Sequence, residues 1–506
     1  MNANYYCTWN TQNFGRTDAQ YEKSADVFLG AEGAKKARNF LDEEHIFQEG
    51  GLADQYEEIR KDLYFLLDDG WDVPYNVNPD INIAAFGSLL LAEDRFPSFT
   101  GTPAQRLKKI NQAFQDKGWK GVGLWIASQA AGESSVLGGW SMEESRKYWR
   151  ERMEWCKEAG IEYWKIDWGY HLIDAKWRNM LNELRDEIMP TLHIEQCYPT
   201  DPTNYVEFLD GEQVSSGNLS VDWAYPEAWY EILEQAEIFR TYDVLPQFSQ
   251  VSTVERVVSA MKQCPDSKAV INCEDEVYLG AVLGCNLGIM RSGLCKEIPV
   301  YRFDPQNYSR RLDEVVRAVN WQKLAPAFPI RDGKIVASDF MERETYYFQS
   351  GEIWKEEYIG KEIYQECPGI IARNMELPEL YYYEDRRPIV AVATHPNGAI
   401  SAVSLPRGDG RGNYETPKTG IVLKDIQCGK PIGIFGHWEK ITFVGTEAFA
   451  GREIWVEDLK DGAGIDITMQ VSVVGNRVEI DSDVLQQLAQ SMKTDLSEPG
   501  MLFYIR

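Results

Sequence analysis

The stretch Glu143 to Asp167, EESRKYWRERMEWCKEAGIEYWKID, carries one full period of an alternating pattern. Glu143 to Ala159 predicts a helix stopped by Gly160, and Ile161 to Ile166 predicts a strand that ends in Asp167. Toward the N-terminus the pattern repeats. Gly121 to Ile126 reads as a buried strand after a helix over Thr102 to Lys117 with a proline at its start, and Leu63 to Leu67 precedes Asp68-Asp69-Gly70-Trp71. Toward the C-terminus, Ala175 to Glu187, Glu227 to Gln235 and Val254 to Gln263 read as helices. They interleave with strands at Leu192 to Glu195, Ala236 to Arg240 and Ala269 to Asn272. With Tyr5 to Trp9 in front and Gly288 to Met290 behind, this makes about eight βα units, the size of a (β/α)8 barrel. In such a barrel the catalytic groups sit at the C-terminal ends of the strands.

After Pro329 the texture changes to short β-rich runs, among them Ile389 to Ala393, Ile400 to Ser404, Ile441 to Val444 and Val471 to Val474, punctuated by Gly, Asn, Pro and Asp. This predicts an antiparallel β-sandwich appended to the barrel, with a division into residues 1–330 and 331–506. The 506 residues, 44% hydrophobic and 26% charged, suffice for one large and one smaller domain and exclude a disordered or fibrous chain. A formal charge of -27 repels phosphate backbones and anionic membrane surfaces, so neither nucleic acid nor membrane is an expected partner. No run approaches the roughly 18 apolar residues of a membrane span, and Met1 to Asn10 lacks the basic and apolar regions of a leader. As it reads, the chain is expected in the cytoplasm, or in the periplasm or outside the cell if a leader has been removed. The nine cysteines form no CxxC pair, which argues against a zinc site or disulfide scaffold and for buried thiols.

Acids at strand ends point into the shared mouth of a barrel. Here they are Asp68 with Asp69, Asp167, Glu195, Asp243, and Glu274 with Asp275. One such acid by itself reads as a helix cap, but five strand ends out of eight carry them. The five histidines show no Hx3H or HExxH spacing, so neither a metal nor another cofactor is expected. Carboxylate chemistry without a metal points to glycoside hydrolysis, in which one carboxylate attacks the anomeric carbon and a second acts as acid and then base. The 16 Trp and 26 Tyr offer surfaces on which sugar rings stack.

Several motifs together resemble the clan of retaining α-galactosidases, closest to glycoside hydrolase family 27, over most of residues 5 to 300. Thr8-Trp9-Asn10-Thr11-Gln12-Asn13 is similar to that family's GWNSWN, and Leu67-Asp68-Asp69-Gly70-Trp71 resembles its IDDGW. Arg95-Phe96-Pro97, with the run Lys117 to Trp125, resembles its FP...KGLKFGIY. Tyr163-Trp164-Lys165-Ile166-Asp167-Trp168 resembles YLKYDNC, Phe239 to Asp243 resembles WRxxxD, and Asn272-Cys273-Glu274-Asp275 stands where the family has NDPD. The resemblance implies that Asp167 is the nucleophile and Asp243 the general acid/base. It implies further that Trp9, Asp68, Asp69, Trp125, Lys165, Glu195, Cys197, Arg240 and Asp275 surround a galactose-type sugar.

Physical chemistry is consistent with those roles. Lys165 lies two residues before Asp167, on the same strand face, where an ammonium group lowers a carboxylate's pKa; a plain ion pair is the structural alternative. The Asp167 charge and partial burial would raise the pKa of Asp243. Three departures from the family pattern bear on the substrate. Gln12 replaces the second tryptophan, Arg240 and Asp243 are three apart rather than four, and Cys197 occupies the place that meets the sugar's 2-substituent. A small thiol there leaves room for an N-acetyl group, so a galactoside and an N-acetylgalactosaminide both stay open, as do related pyranosides such as a β-L-arabinopyranoside. The rival readings are a sugar-binding barrel without catalysis and a barrel enzyme of other chemistry such as a lyase. Acids at both the fourth and the sixth strand speak against a mere binder. A homo-oligomer is left open.

Overall fold

The computed structural model describes residues 2–14, 35, 37–77, 82–133, 139–198, 205–209, 212–217, 226–241, 246–295, 306–348, 360, 362–408, 414–492 and 495–506. In chain order the first strands are β1 (Tyr5–Cys7), β2 (Tyr64–Leu67), β3 (Gly121–Ile126), β4 (Tyr163–Ile166) and β5 (His193–Cys197). A hairpin follows, β6 (Tyr205–Leu209) with β7 (Glu212–Gly217), and then β8 (Ile238–Arg240), β9 (Val270–Glu274) and β10 (Asn286–Ile289). All of these except the hairpin pair in parallel and close into a barrel of order β1-β10-β9-β8-β5-β4-β3-β2. The expected (β/α)8 barrel is therefore present.

The local signals act as the sequence predicts. The helix Met142–Ala159 starts at a capping box between Ser141 and Glu144 and stops at Gly160, whose left-handed φ of 70° only glycine adopts without strain. The helix Pro103–Asp116 has the same device in Thr102 and Gln105. Strand alternation then sorts the side chains. Tyr6, Phe65, Val122, Leu124, Trp164, Ile166, Ile194 and Phe239 pack against the helices in one large core. Tyr5, Cys7, Tyr64, Leu66, Tyr163, Ile238 and Met290 pack against each other inside the barrel. The interior is tight: a Cβ on Gly123 would lie 2.9 Å from Leu66 Cδ1.

Two facing sheets of eight and five strands make the C-terminal sandwich, with their own apolar core. Antiparallel pairing dominates, joined by three parallel pairings among the described residues: Ile370–Arg373 with Ile389–Thr394, Ile400–Leu405 with Ile432–Phe435, and Thr419–Ile426 with Lys440–Gly445. One feature was not expected. Met341–Tyr347 and Glu362–Pro368 join β6 and β7 in a separate four-stranded sheet, so the chain beyond residue 330 reaches back to the segment after β5. Among the described residues no helix is long and apolar enough to cross a membrane.

Candidate active site

The mouth is built by strand ends whose inward positions carry charge. Asp68 follows β2 and is nearly sealed, as is Lys165 on β4; their side chains are 3% and 2% exposed, with Nζ 2.7 Å from Asp68 Oδ2. Cys7 donates its thiol to the same oxygen at 3.1 Å, and the Asp69 amide donates to Oδ1 at 2.8 Å. Burial opposes ionisation of Asp68, but the Lys165 ammonium outweighs it and holds the carboxyl below its usual range. Burial and the Arg240 guanidinium both work against the Lys165 charge; Asp68 and Asp167 prevail, and Lys165 stays well above its ordinary value.

Lys165 therefore makes its ion pair with Asp68 and acts on Asp167 through space. Asp167 directly follows β4 and is 6% exposed. The Trp125 indole, from the end of β3, donates to its Oδ2 at 2.8 Å, and its amide donates to Ile126 O at 2.9 Å. The indole N–H orients this oxygen without adding a charge of its own.

Asp69 is gripped by Arg38, whose Nε and NH2 lie 2.8 and 2.6 Å from its two oxygens, and Trp168 donates to it at 3.2 Å. Gln12 secures the Asp69 carbonyl at 3.0 Å, so the residue standing in place of a tryptophan has a scaffold contact of its own. The Trp125 and Trp168 rings lie 5.3 Å apart, and Trp9 is half-buried against the barrel interior. Arg240 and Glu274 face each other at the ends of β8 and β9 with 2.7 Å between NH2 and Oε2.

Of the expected sugar contacts, Glu195 has both oxygens on protein groups and Asp275 has its Oδ1 there. Glu195, 0% exposed, accepts from Tyr5 at 2.9 Å, Tyr163 at 2.7 Å and Asn272 at 2.6 Å, with the Cys197 thiol at 3.4 Å. Asp275 accepts from the amides of Met290 and Arg291 at 2.9 and 3.1 Å. Cys197 lies inside the barrel, its thiol pushed well up by burial and then by Glu195. Asp243 lies outside the described residues.

The sequence reading passed over Arg38 and gave Trp168 no role, whereas it counted Glu274 among the strand-end acids of the mouth. Strand parity carried a signal only for Glu274, since it shares a face with Asn272 on β9. Among the described residues no group of three His, Cys, Asp or Glu side chains is placed to hold a metal ion. Among the described residues seven thiols are buried, Cys7, Cys197, Cys273 and Cys285 among them.

No protein-family model matches the chain, and no curated protein matches it in sequence. Among solved structures it is similar to α-galactosidase I of Mortierella vinacea, at 11% identity and a TM-score of 0.40 over 99% of this chain and 96% of that one. A candidate α-N-acetylgalactosaminidase of Bacillus halodurans gives 11% and 0.42 over 100% and 97%. The α-galactosidase of Saccharomyces cerevisiae gives 10% and 0.37 over 100% and 97%.

Proposed function

We propose that the barrel mouth is the active site of a retaining glycoside hydrolase that cleaves terminal α-galactoside-type linkages. The observation that carries this reading is the cluster at β2, β3 and β4: Asp167 aimed by the Trp125 indole, beside the buried Lys165–Asp68 pair. In the first step Asp167 attacks the anomeric carbon. The glycosidic bond breaks, the leaving oxygen takes a proton from Asp243, and a glycosyl ester forms on Asp167. In the second step Asp243 removes a proton from water, which displaces Asp167 and leaves the sugar with its original configuration.

Asp68, Asp69, Trp9, Trp125, Lys165, Cys197 and Arg240 surround the sugar in this reading. Glu195 acts one layer out, because it is 0% exposed inside the barrel and holds Tyr5, Tyr163 and Asn272 there; Asp275 holds the amides of Met290 and Arg291 through Oδ1. Residues 1–330 form the catalytic part and 331–506 the sandwich part. The same mouth serves an α-N-acetylgalactosaminide if Cys197 gives room at the 2-position, and a β-L-arabinopyranoside, which has the 2-hydroxyl of galactose and lacks only its 6-hydroxymethyl group.

The test is a panel of p-nitrophenyl glycosides (α-galactoside, α-N-acetylgalactosaminide, β-L-arabinopyranoside, α-glucoside) with wild type and Asp167→Asn. One member should be hydrolysed, and the variant should lose at least about a thousandfold in kcat. Azide with Asp167→Gly should give a glycosyl azide of inverted configuration. Wild-type turnover by Asp167→Asn removes the assignment.

A further inference from the structure

His171 follows β4 by five residues and belongs to none of the groups assigned above. Its Nε2 lies 2.9 Å from Glu133 Oε1, in the loop after β3, and its Nδ1 lies 3.2 Å from Asp174 Oδ2. The ring stacks on Trp177, with centroids 4.9 Å apart and planes 3° from parallel. Ionised carboxylates only accept, so two of them on two ring nitrogens require both nitrogens to carry hydrogen, which makes the ring an imidazolium. Burial opposes that charge, but the hydrogen bonds to Asp174 and Glu133 overcome it and raise the pKa to about 9.

Each partner leads on to Asp167. Glu133 also accepts from the amides of Ala130 and Trp140, which braces the loop after β3. Asp174 caps the helix Ala175–Ile188 by accepting from Trp177 N at 3.0 Å, and Arg178 on that helix donates to the Asp167 carbonyl at 3.1 Å. Between them the two loops are zipped: Ser128 N donates to Trp168 O at 2.8 Å, and His171 N donates to Ser128 O at 2.9 Å. Arg178, the charged group on the next turn, is directed to Ile166, Asp167, Leu172 and Gln196, away from the imidazole.

We propose that His171 is a positioning residue for this site, an imidazolium clasp that locks the loop after β3 to the cap of the following helix and so fixes the angle of the Asp167 carboxylate. The proposal rests on the reading of Asp167 as nucleophile. Its folded-state pKa lies above the ordinary value near 6.5, so the clasp is complete below that pH and is lost as pH rises through about 9.

The experiment uses kcat/KM on a dinitrophenyl glycoside, whose leaving group needs no acid, and the Ki of the free sugar as a binding readout. For wild type a falling limb near pH 9 is expected. His171→Phe, which keeps the stack on Trp177, should lose about 10- to 100-fold in kcat/KM with Ki changed less than about twofold, and its limb near pH 9 should be gone. Asp174→Asn should move the limb toward neutral pH and serves alone if His171→Phe does not fold. Full kcat/KM in His171→Phe, a matching rise in Ki, or an unmoved limb in either variant overturns the proposal. If Asp167→Asn is itself active, the functional reading falls instead; if it is inactive while His171→Phe behaves as wild type, only the clasp falls.

Discussion

Replacing Lys165 by Met should cost the protein about 3–5 kcal/mol, because it removes one partner of a sealed ion pair and leaves the other charged. The pair is 2.7 Å long with both side chains almost fully buried, so solvent cannot take over for the lost ammonium. Asp68 would keep only the Cys7 thiol and the Asp69 amide among its present donors. Adding Asp68→Asn removes the stranded charge, and the double variant should recover about 2–3 kcal/mol, leaving a deficit near the net worth of lost hydrogen bonds.

The pH dependence carries a sign. In wild type the Asp68 carboxyl lies below its usual range, so its stabilisation is present above the unfolded value near 4 and is lost as pH falls through the lowered folded one. In Lys165→Met burial acts with no ammonium against it, the folded value rises, and the penalty shrinks as acid protonates the group. The assay is urea unfolding followed by tryptophan fluorescence at pH 7.5 and 5 for wild type, the single variant and the double. A penalty under about 1 kcal/mol at pH 7.5, one equal at both pH values, or a double variant no more stable than the single refutes the argument.

Gly169→Ala should cut turnover and lower the unfolding midpoint, because its Cβ would sit 2.7 to 2.8 Å from the Ser128 backbone and would force the loops after β3 and β4 apart; unchanged kcat in a folded variant contradicts this. His395 is buried between Trp321 and Phe328, and burial followed by the Arg373 guanidinium lowers its pKa to about 3. Its stabilisation is present above about pH 6.5 and is lost as pH falls toward 3, so His395→Asn should flatten the decline of the urea midpoint between pH 6.5 and 4; equal slopes would count against it.

Much of the mouth was legible because its signals are local. Asp68, Asp69, Lys165 and Asp167 stand at strand ends marked by apolar runs, and parity alone sends Lys165 inward beside Tyr163. The partners of these residues were not legible. Arg38 grips Asp69 from 31 residues away, and Lys165 reaches Asp68 across 97 residues rather than Asp167 across two. Glu133, His171 and Asp174 gave no metal spacing and no motif, since a clasp of this kind depends on which loops meet.

The sequence by itself determined the alternation of strands and helices, the helix stops at positions such as Gly160, and the inward face of each strand. These follow from backbone conformation and side-chain period, which act over a few residues. Closure of the barrel decided the rest. It set β4 between β3 and β5, turned the Trp125 indole onto Asp167, filled the interior below with Glu195 and its partners Tyr5, Tyr163 and Asn272, and drew Met341–Tyr347 and Glu362–Pro368 back to the hairpin after β5. Such pairings join residues tens to hundreds of positions apart, and only the packed chain brings their charges and donors within bonding distance.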